Sequence, residues 1–263
     1  MEQFYLICTY VLAGVLGLCV GSFLNVVIYR LPREMSLSFP GSHCTSCDYS
    51  LKWYDNIPVL SWLLLGGKCR KCREPISLRY TVVELANMLF WLLSVAFFWK
   101  ESPAYAVISA IVCSVAICIF FIDLEHMLIY NRFLLILAVA GIAAMFLDGF
   151  TKPLDHIIGA VVGGGVFALL YFGGILLLKR EAMGFADVKF AAAAGLLLGW
   201  QKLLLMMLIA SVVGSVVLVI LNRVKDQDRT TEYPFGPFLV GGMLIALLAG
   251  TPSITWYVGL LLG

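Results

Sequence analysis

Apolar runs recur along the chain, several of them close to 20 residues long, and they constrain its fold more than any other feature. A helix rising ~1.5 Å per residue needs about 20 apolar residues to cross a hydrocarbon core ~30 Å thick. The runs cover residues 4–29, 81–99, 104–122, 133–150, 156–178, 188–200, 203–221 and 235–250. They predict an all-α polytopic membrane protein of about eight transmembrane helices. The 188–200 run is short for a crossing, and the last stretch, 256–263, is too short for one. The first run lacks a basic start and exceeds a typical signal-peptide core, so it reads as a span. Trp99, Trp200 and Trp256 fall at expected span ends, where amphipathic rings favour the interface.

Composition agrees: 62% of residues are hydrophobic and 13% charged, against about half and a quarter in soluble domains. An ordinary cytosolic enzyme, a disordered tail and a secreted disulfide scaffold are excluded. The net charge of +2 gives no reason to expect a nucleic-acid partner. The bilayer is the first partner implied. If residues 30–80 face the cytosol, fifteen of the 18 Lys and Arg residues lie on that side. Only Lys100, Lys152 and Lys202 lie on the other. That asymmetry orients the chain by the positive-inside rule, with both termini outside. The division expected is a first transmembrane helix over 1–29, a cytosolic loop domain over 30–80 and a membrane domain over 81–263.

The 30–80 stretch is the only long polar segment. It carries Cys44-Thr-Ser-Cys47 and, after 21 residues, Cys69-Arg-Lys-Cys72. Two Cys-x-x-Cys pairs at this separation supply four thiolates for a tetrahedral structural zinc site. Free or redox-active thiols are the alternative, disfavoured by the reducing cytosol as disulfides. Lys68, Arg70, Lys71 and Arg73 surround the second pair and favour ionised sulfurs. Such a site has no open position, so the metal folds the loop and does no chemistry. Cys8, Cys19, Cys113 and Cys118 lie within spans and read as small packing residues. Gly159, Gly163, Gly164, Gly165, Gly173 and Gly174 suit close helix–helix approach in lipid.

Carboxylates at the edge of apolar spans are expensive and call for a reason. Asp123 ends the third span on the cytosolic side, and Asp187 begins the sixth on the same side, 64 residues later. Topology places both at one depth. Two carboxyls within reach of one another tend to share a proton, which suits them to activate water and protonate a peptide carbonyl. The plain alternative is two solvated aspartates paired with Arg132 or Lys189. Glu125 and His126 follow Asp123 and face water in the simplest reading. Glu84 sits near the start of the second span, within reach of Arg79 or Arg30. Glu34, Asp48, Asp55 and Glu74 in the loop form a solvated acidic face that also suits a basic peptide.

Gly184-Phe-Ala-Asp187 resembles the Gly-x-Gly-Asp signature of intramembrane aspartyl proteases. With Phe121-Ile-Asp-Leu-Glu125 and the two cysteine pairs, the chain resembles bacterial type IV prepilin peptidases (prepilin leader peptidase / N-methyltransferase). Gly21-Ser-Phe-Leu-Asn-Val-Val-Ile-Tyr-Arg-Leu-Pro32, Ile76-Ser-Leu-Arg-Tyr80 through Glu84, and Pro234-Phe-Gly-Pro-Phe238 extend the likeness over nearly the whole chain. The resemblance implies that Asp123 and Asp187 are the catalytic pair and that Cys44, Cys47, Cys69 and Cys72 bind zinc. It implies cleavage of the basic leader of type IV prepilins or pseudopilins after a glycine, at the cytosolic face of the bacterial inner membrane. It also implies methylation of the new N-terminus with S-adenosylmethionine, with the loop near Arg30 and Glu84 suspected as its seat. No Rossmann-type glycine-rich turn accompanies that expectation.

The chain departs from the pattern at Ala186, in place of the second glycine, and at Tyr130-Asn131, where a Pro-Asp pair is common. The second departure removes a competing carboxylate and favours Asp123. Two rival functions remain on the residues alone, a transporter with a carboxylate proton relay and a non-catalytic assembly protein. The first calls for midplane charges and repeats, whereas these aspartates lie at the edge. The second leaves the 184–187 signature without a use.

Overall fold

The computed structural model describes residues 1–147, 153–179, 183–225 and 233–262. Lys152, Arg180 and Arg229 of the charge asymmetry lie outside the described residues, as does Phe150 at the end of the fourth apolar run. The architecture is all-α. Helix α1 spans Glu2–Arg30, α2 Leu60–Leu64, α3 Arg79–Phe98, α4 Pro103–His126, α5 Asn131–Leu147, α6 Pro153–Leu178, α7 Phe185–Lys225 and α8 Gly236–Leu262. Among the described residues there is no β-strand, only two isolated bridges in the cysteine loop. Six of the helices are long and apolar enough to cross a bilayer, and α5 is a shorter apolar helix of 17 residues. This is a multi-pass membrane protein.

The two expected spans 188–200 and 203–221 form α7, whose 41 residues would measure about 61 Å if straight, twice a hydrocarbon core. Gly199 breaks the run with φ 75° and ψ 168°, a conformation that a side chain disfavours. The break leaves a first piece of roughly 21 Å, short of a full crossing, and a second of roughly 39 Å, long enough for one. The eighth span runs past its expected end at Gly250: α8 continues through Pro252 to Leu262.

The chain forms two compact units, Met1–Cys118 and Ile119–Gly263, joined within α4. In the first, α1 packs on α3 through Gly17 and Gly21. A Cβ at either would lie 2.8 Å from backbone Cα atoms of α3, those of Met88 and Glu84. Buried polar groups tie the same helices in place. Asn87 Nδ2 donates to the Gly17 carbonyl at 2.7 Å, Ser114 Oγ to Asn87 Oδ1 at 2.8 Å, and Trp91 Nε1 to Ser114 Oγ at 2.9 Å. Cys113 and Cys118 are buried in helix packing, as read from sequence, whereas Cys8 and Cys19 are exposed on α1.

In the second unit α7 packs against α5, α6 and α8. Gly159 sits against the Gly195 carbonyl and Gly163 against that of Ala191, so α6 and α7 meet backbone to backbone. Gly165 and Gly173 have no such neighbour within 4 Å and do not serve that contact. Flanking the break at Gly199, Trp200 Nε1 donates to Asp155 Oδ1 at 3.2 Å, and the His156 ring bonds the Leu196 carbonyl at 2.8 Å.

Candidate active site and metal centre

Each Cys-x-x-Cys pair folds into the same tight turn. In the first, the Asp48 N–H donates to the Cys44 carbonyl at 3.0 Å and the Cys44 N–H to Tyr49 O at 3.0 Å. In the second, the Arg73 N–H donates to Cys69 O at 3.1 Å and the Cys69 N–H to Glu74 O at 2.8 Å. The residue after each second cysteine, Asp48 (φ 51°) or Arg73 (φ 61°), is left-handed. A bridge closes each turn one residue before and three residues after the pair, His43 with Ser50 and Lys68 with Pro75. Two copies of one knuckle face each other.

The four sulfurs all lie within 4.8 Å of one another, and Cys44 Sγ is 3.8 Å from Cys72 Sγ. A tetrahedron with metal–sulfur bonds of ~2.3 Å has sulfurs ~3.8 Å apart, so the donor set fits zinc. Backbone N–H groups of Cys72 and Lys71 draw the Cys69 thiol down to about 6. Cys72 goes the other way, to about 12, because the Glu74 N–H is outweighed by desolvation and three neighbouring sulfurs. Four thiolates therefore compete for negative charge, which a divalent cation would resolve.

Arg70, one of the four basic residues expected to steady the thiolates, has a carboxylate as its partner. Arg70 pairs with buried Asp55 at 2.7 Å, and Asp55 also accepts the Tyr49 hydroxyl at 3.2 Å and the Lys52 N–H at 3.3 Å. Burial raises the Asp55 carboxyl, but Arg70 and the Lys52 N–H more than offset it and hold it below the usual carboxylate value. Asp55 thus bolts one knuckle to the other and is not part of an acidic face. Glu34, Asp48 and Glu74 remain exposed.

Asp123 lies in the last turn of α4 and Asp187 in the first turn of α7, both in the second unit. They are near helix ends, as expected, but enclosed: Asp123 is 5% exposed and Asp187 7%. Their carboxyls are near enough for the charge of Asp123 to act on Asp187. The alternative pairing with cations is not what forms. Lys189 Nζ donates to Asn131 Oδ1 at 3.2 Å, and Arg132 stacks on Tyr130 at 5.8 Å. Glu125 and His126 lie 4.0 Å apart, partly exposed. Glu84 is buried and accepts the Val59 N–H at 2.8 Å, while the Arg30 guanidinium is taken by the Ser36 and Gly41 carbonyls.

Within the Pro234–Phe238 motif, one glycine belongs to this site. Gly236, the first residue of α8, directs its N–H to the Asp123 carboxyl and abuts Asp123 Oδ2. The other side of the pair has a matching glycine, for Gly184 supplies a backbone N–H to Asp187. Asp123 Oδ2 is itself buried without a hydrogen-bond partner. In the same unit an apolar groove of about 610 Å³ is lined by Phe120 and Leu124 of α4 together with Val213, Val217, Pro237 and Phe238, among others. Two enclosed carboxyls, one of them with an unsatisfied oxygen, in one unit with an apolar trough are suited to proton transfer at a peptide bond.

Residues 110–219 match the model of the type IV leader peptidase family, and residues 15–98 match that of the bacterial peptidase A24 N-terminal domain. A prepilin leader peptidase/N-methyltransferase of Aeromonas hydrophila is 37% identical over 92% of this chain and 91% of its own length. The chain belongs to the type IV leader peptidase family. A relative of the same name from Legionella pneumophila is 32% identical over 95% of this chain and 94% of its own length. One from Myxococcus xanthus is 41% identical over 82% of this chain and 64% of its own. No solved structure matches the chain. As a member of the leader peptidase family the protein is an enzyme, and both the cysteine loop and Asp123 with Asp187 fall within the matched segments.

Proposed function

We propose that this peptidase removes the basic leader of type IV prepilins or pseudopilins after a glycine, using Asp123 and Asp187 as its catalytic pair. The observation that carries the reading is the enclosure of two mutually interacting carboxyls on separate helices, with Asp123 Oδ2 left unpartnered. In this reading the two buried carboxyls work as a unit, one ionised and one protonated. The ionised member takes a proton from water as the oxygen attacks the scissile carbonyl carbon, and the protonated member gives its proton to the carbonyl oxygen. When the tetrahedral intermediate collapses, the C–N bond breaks and the departing amine takes up a proton. The Gly236 and Gly184 N–H groups hold the carboxyls in place, and the apolar groove receives the apolar helix of the substrate.

In this reading residues 1–29 are the first transmembrane helix, 30–80 the metal-folded cytosolic domain and 81–263 the protease domain. The excess of Lys and Arg in 30–80 and in the loops on the same side supports a site facing the cytosol of a bacterial inner membrane. Cys44, Cys47, Cys69 and Cys72 hold zinc as a closed structural site. The names of the relatives support a second activity, methylation of the new N-terminal amine. S-adenosylmethionine, when bound, supplies an electrophilic methyl group on a sulfonium. Co-expression with a candidate prepilin tests the whole reading: intact mass spectrometry should show a product shortened by the leader and heavier by one methyl. An uncut precursor would overturn it.

A further inference from the structure

A second cavity lies wholly within the first unit, and the proteolytic reading does not use it. It is a half-open cavity of about 740 Å³ between the C-terminal part of α1, the start of α3 and the cysteine loop. That volume is in the range of sites for drug-sized ligands. Set in its mostly apolar lining are a few specific polar groups. Asn25 is 3% exposed, and its Nδ2 donates to the Tyr80 carbonyl at 3.0 Å while its Oδ1 is buried with no partner. Thr81, 6% exposed, has a hydroxyl equally without one. A buried donor or acceptor left unsatisfied is destabilising, and native proteins keep few of them. Two in one cavity wall point to a ligand that meets them.

Charge is present as well. Glu84 stands one turn after Thr81 on the same face of α3, and its carboxylate is positioned by the Val59 N–H and the Ser22 hydroxyl. Arg30 lines the same cavity, its guanidinium fixed by carbonyls of Ser36 and Gly41. Both charged groups are therefore held by the protein before any ligand arrives. A small molecule satisfying all four groups needs a cation or diol for Glu84, an anion for Arg30, and hydrogen-bonding groups for Asn25 and Thr81. An amino acid joined through a sulfonium to a nucleoside has that set.

We propose that Asn25, Thr81, Glu84 and Arg30 form the binding site for S-adenosylmethionine, a proposal that rests on the methylation reading. The site belongs to the unit that holds the cysteines and is separate from the aspartate pair in the second unit. No glycine-rich nucleotide turn is needed, because side chains of two packed helices and one loop supply the contacts.

Equilibrium dialysis of the full-length, zinc-loaded, detergent-solubilised protein against radiolabelled S-adenosylmethionine tests it. The wild type should bind saturably, and Glu84→Gln and Thr81→Val should each weaken binding at least tenfold. Thr81→Val removes only an unsatisfied hydroxyl, so its ligand-free melting temperature and zinc content should not fall, which keeps the test valid if Glu84→Gln folds poorly. Wild-type affinity in a folded Thr81→Val protein, with processed pilin still methylated, would overturn this site and leave the methylation reading standing. Failure of the wild type to bind, together with a processed pilin bearing an unmethylated amine, would overturn both.

Discussion

Gly236→Ala is the perturbation whose effect can be worked most directly from the structure. The added Cβ would lie 2.8 Å from Asp123 Cγ and 3.3 Å from Asp123 Cβ. Carbon atoms in contact settle at about 3.5–4.0 Å, so the carboxyl must retreat by roughly 0.7–1.2 Å or α8 must move by as much. Displacement of a catalytic group by ~1 Å costs on the order of 100-fold in rate, equivalent to about 2.7 kcal/mol of transition-state stabilisation. Gly236 is not in a positive-φ conformation, so alanine fits the backbone and the loss should appear in kcat with the melting temperature preserved. Gly259→Ala on the same helix is the control, since nothing lies within 4 Å of its added Cβ. The assay is kcat/KM for cleavage of a purified prepilin in detergent, with melting measured in parallel. A Gly236→Ala enzyme that cleaves within twofold of wild type would refute the assignment of this glycine to the Asp123 side of the site.

Cys44→Ser should lower the zinc content from one ion per chain and expose the 30–80 loop to limited proteolysis, as should chelation of the wild type; metal analysis and digestion time courses check this. The depressed Asp55 carboxyl adds stability above its unfolded value, about 4, and that contribution is lost as pH falls through its lower folded value. Loop proteolysis should therefore accelerate below about pH 4 in the wild type, whereas Asp55→Asn should be more sensitive at neutral pH and lack that added acid step. Gly195→Ala places a Cβ 2.5 Å from the Gly159 carbonyl carbon and 2.9 Å from the Ala160 nitrogen. Overpacking of this kind costs about 1–3 kcal/mol, so its melting temperature should fall while that of Gly173→Ala, facing open space, should not.

The helices were legible because apolar length is a crude and reliable signal in lipid. The cysteine knuckles were legible because metal geometry leaves few spacings. What composition did not reveal was continuity: the break between residues 200 and 203 looks like a loop in hydropathy, yet a single left-handed Gly199 suffices to end one helix and start the next. The last apolar run ends at residue 250, yet α8 carries Pro252 inside it and runs on to Leu262. At the proposed active site, Asp123 and Asp187 stand out because a carboxylate in an apolar setting demands an explanation. Gly236 does not, for a glycine that supplies an N–H and vacant space has no side-chain chemistry to notice. Asp55 was misplaced for the opposite reason. Its charge suggested an exposed face, whereas its pairing with Arg70 depends on two knuckles folding together, which no local pattern encodes.

The most direct test of the account replaces Asp123 and Asp187 singly by asparagine, which keeps shape and removes the ability to exchange a proton. Prepilin cleavage by each membrane-inserted variant is then followed by intact mass. Each variant should leave the precursor at full length while melting close to the wild type. Normal processing by either would contradict the claim that these two carboxyls activate the water that cuts the leader.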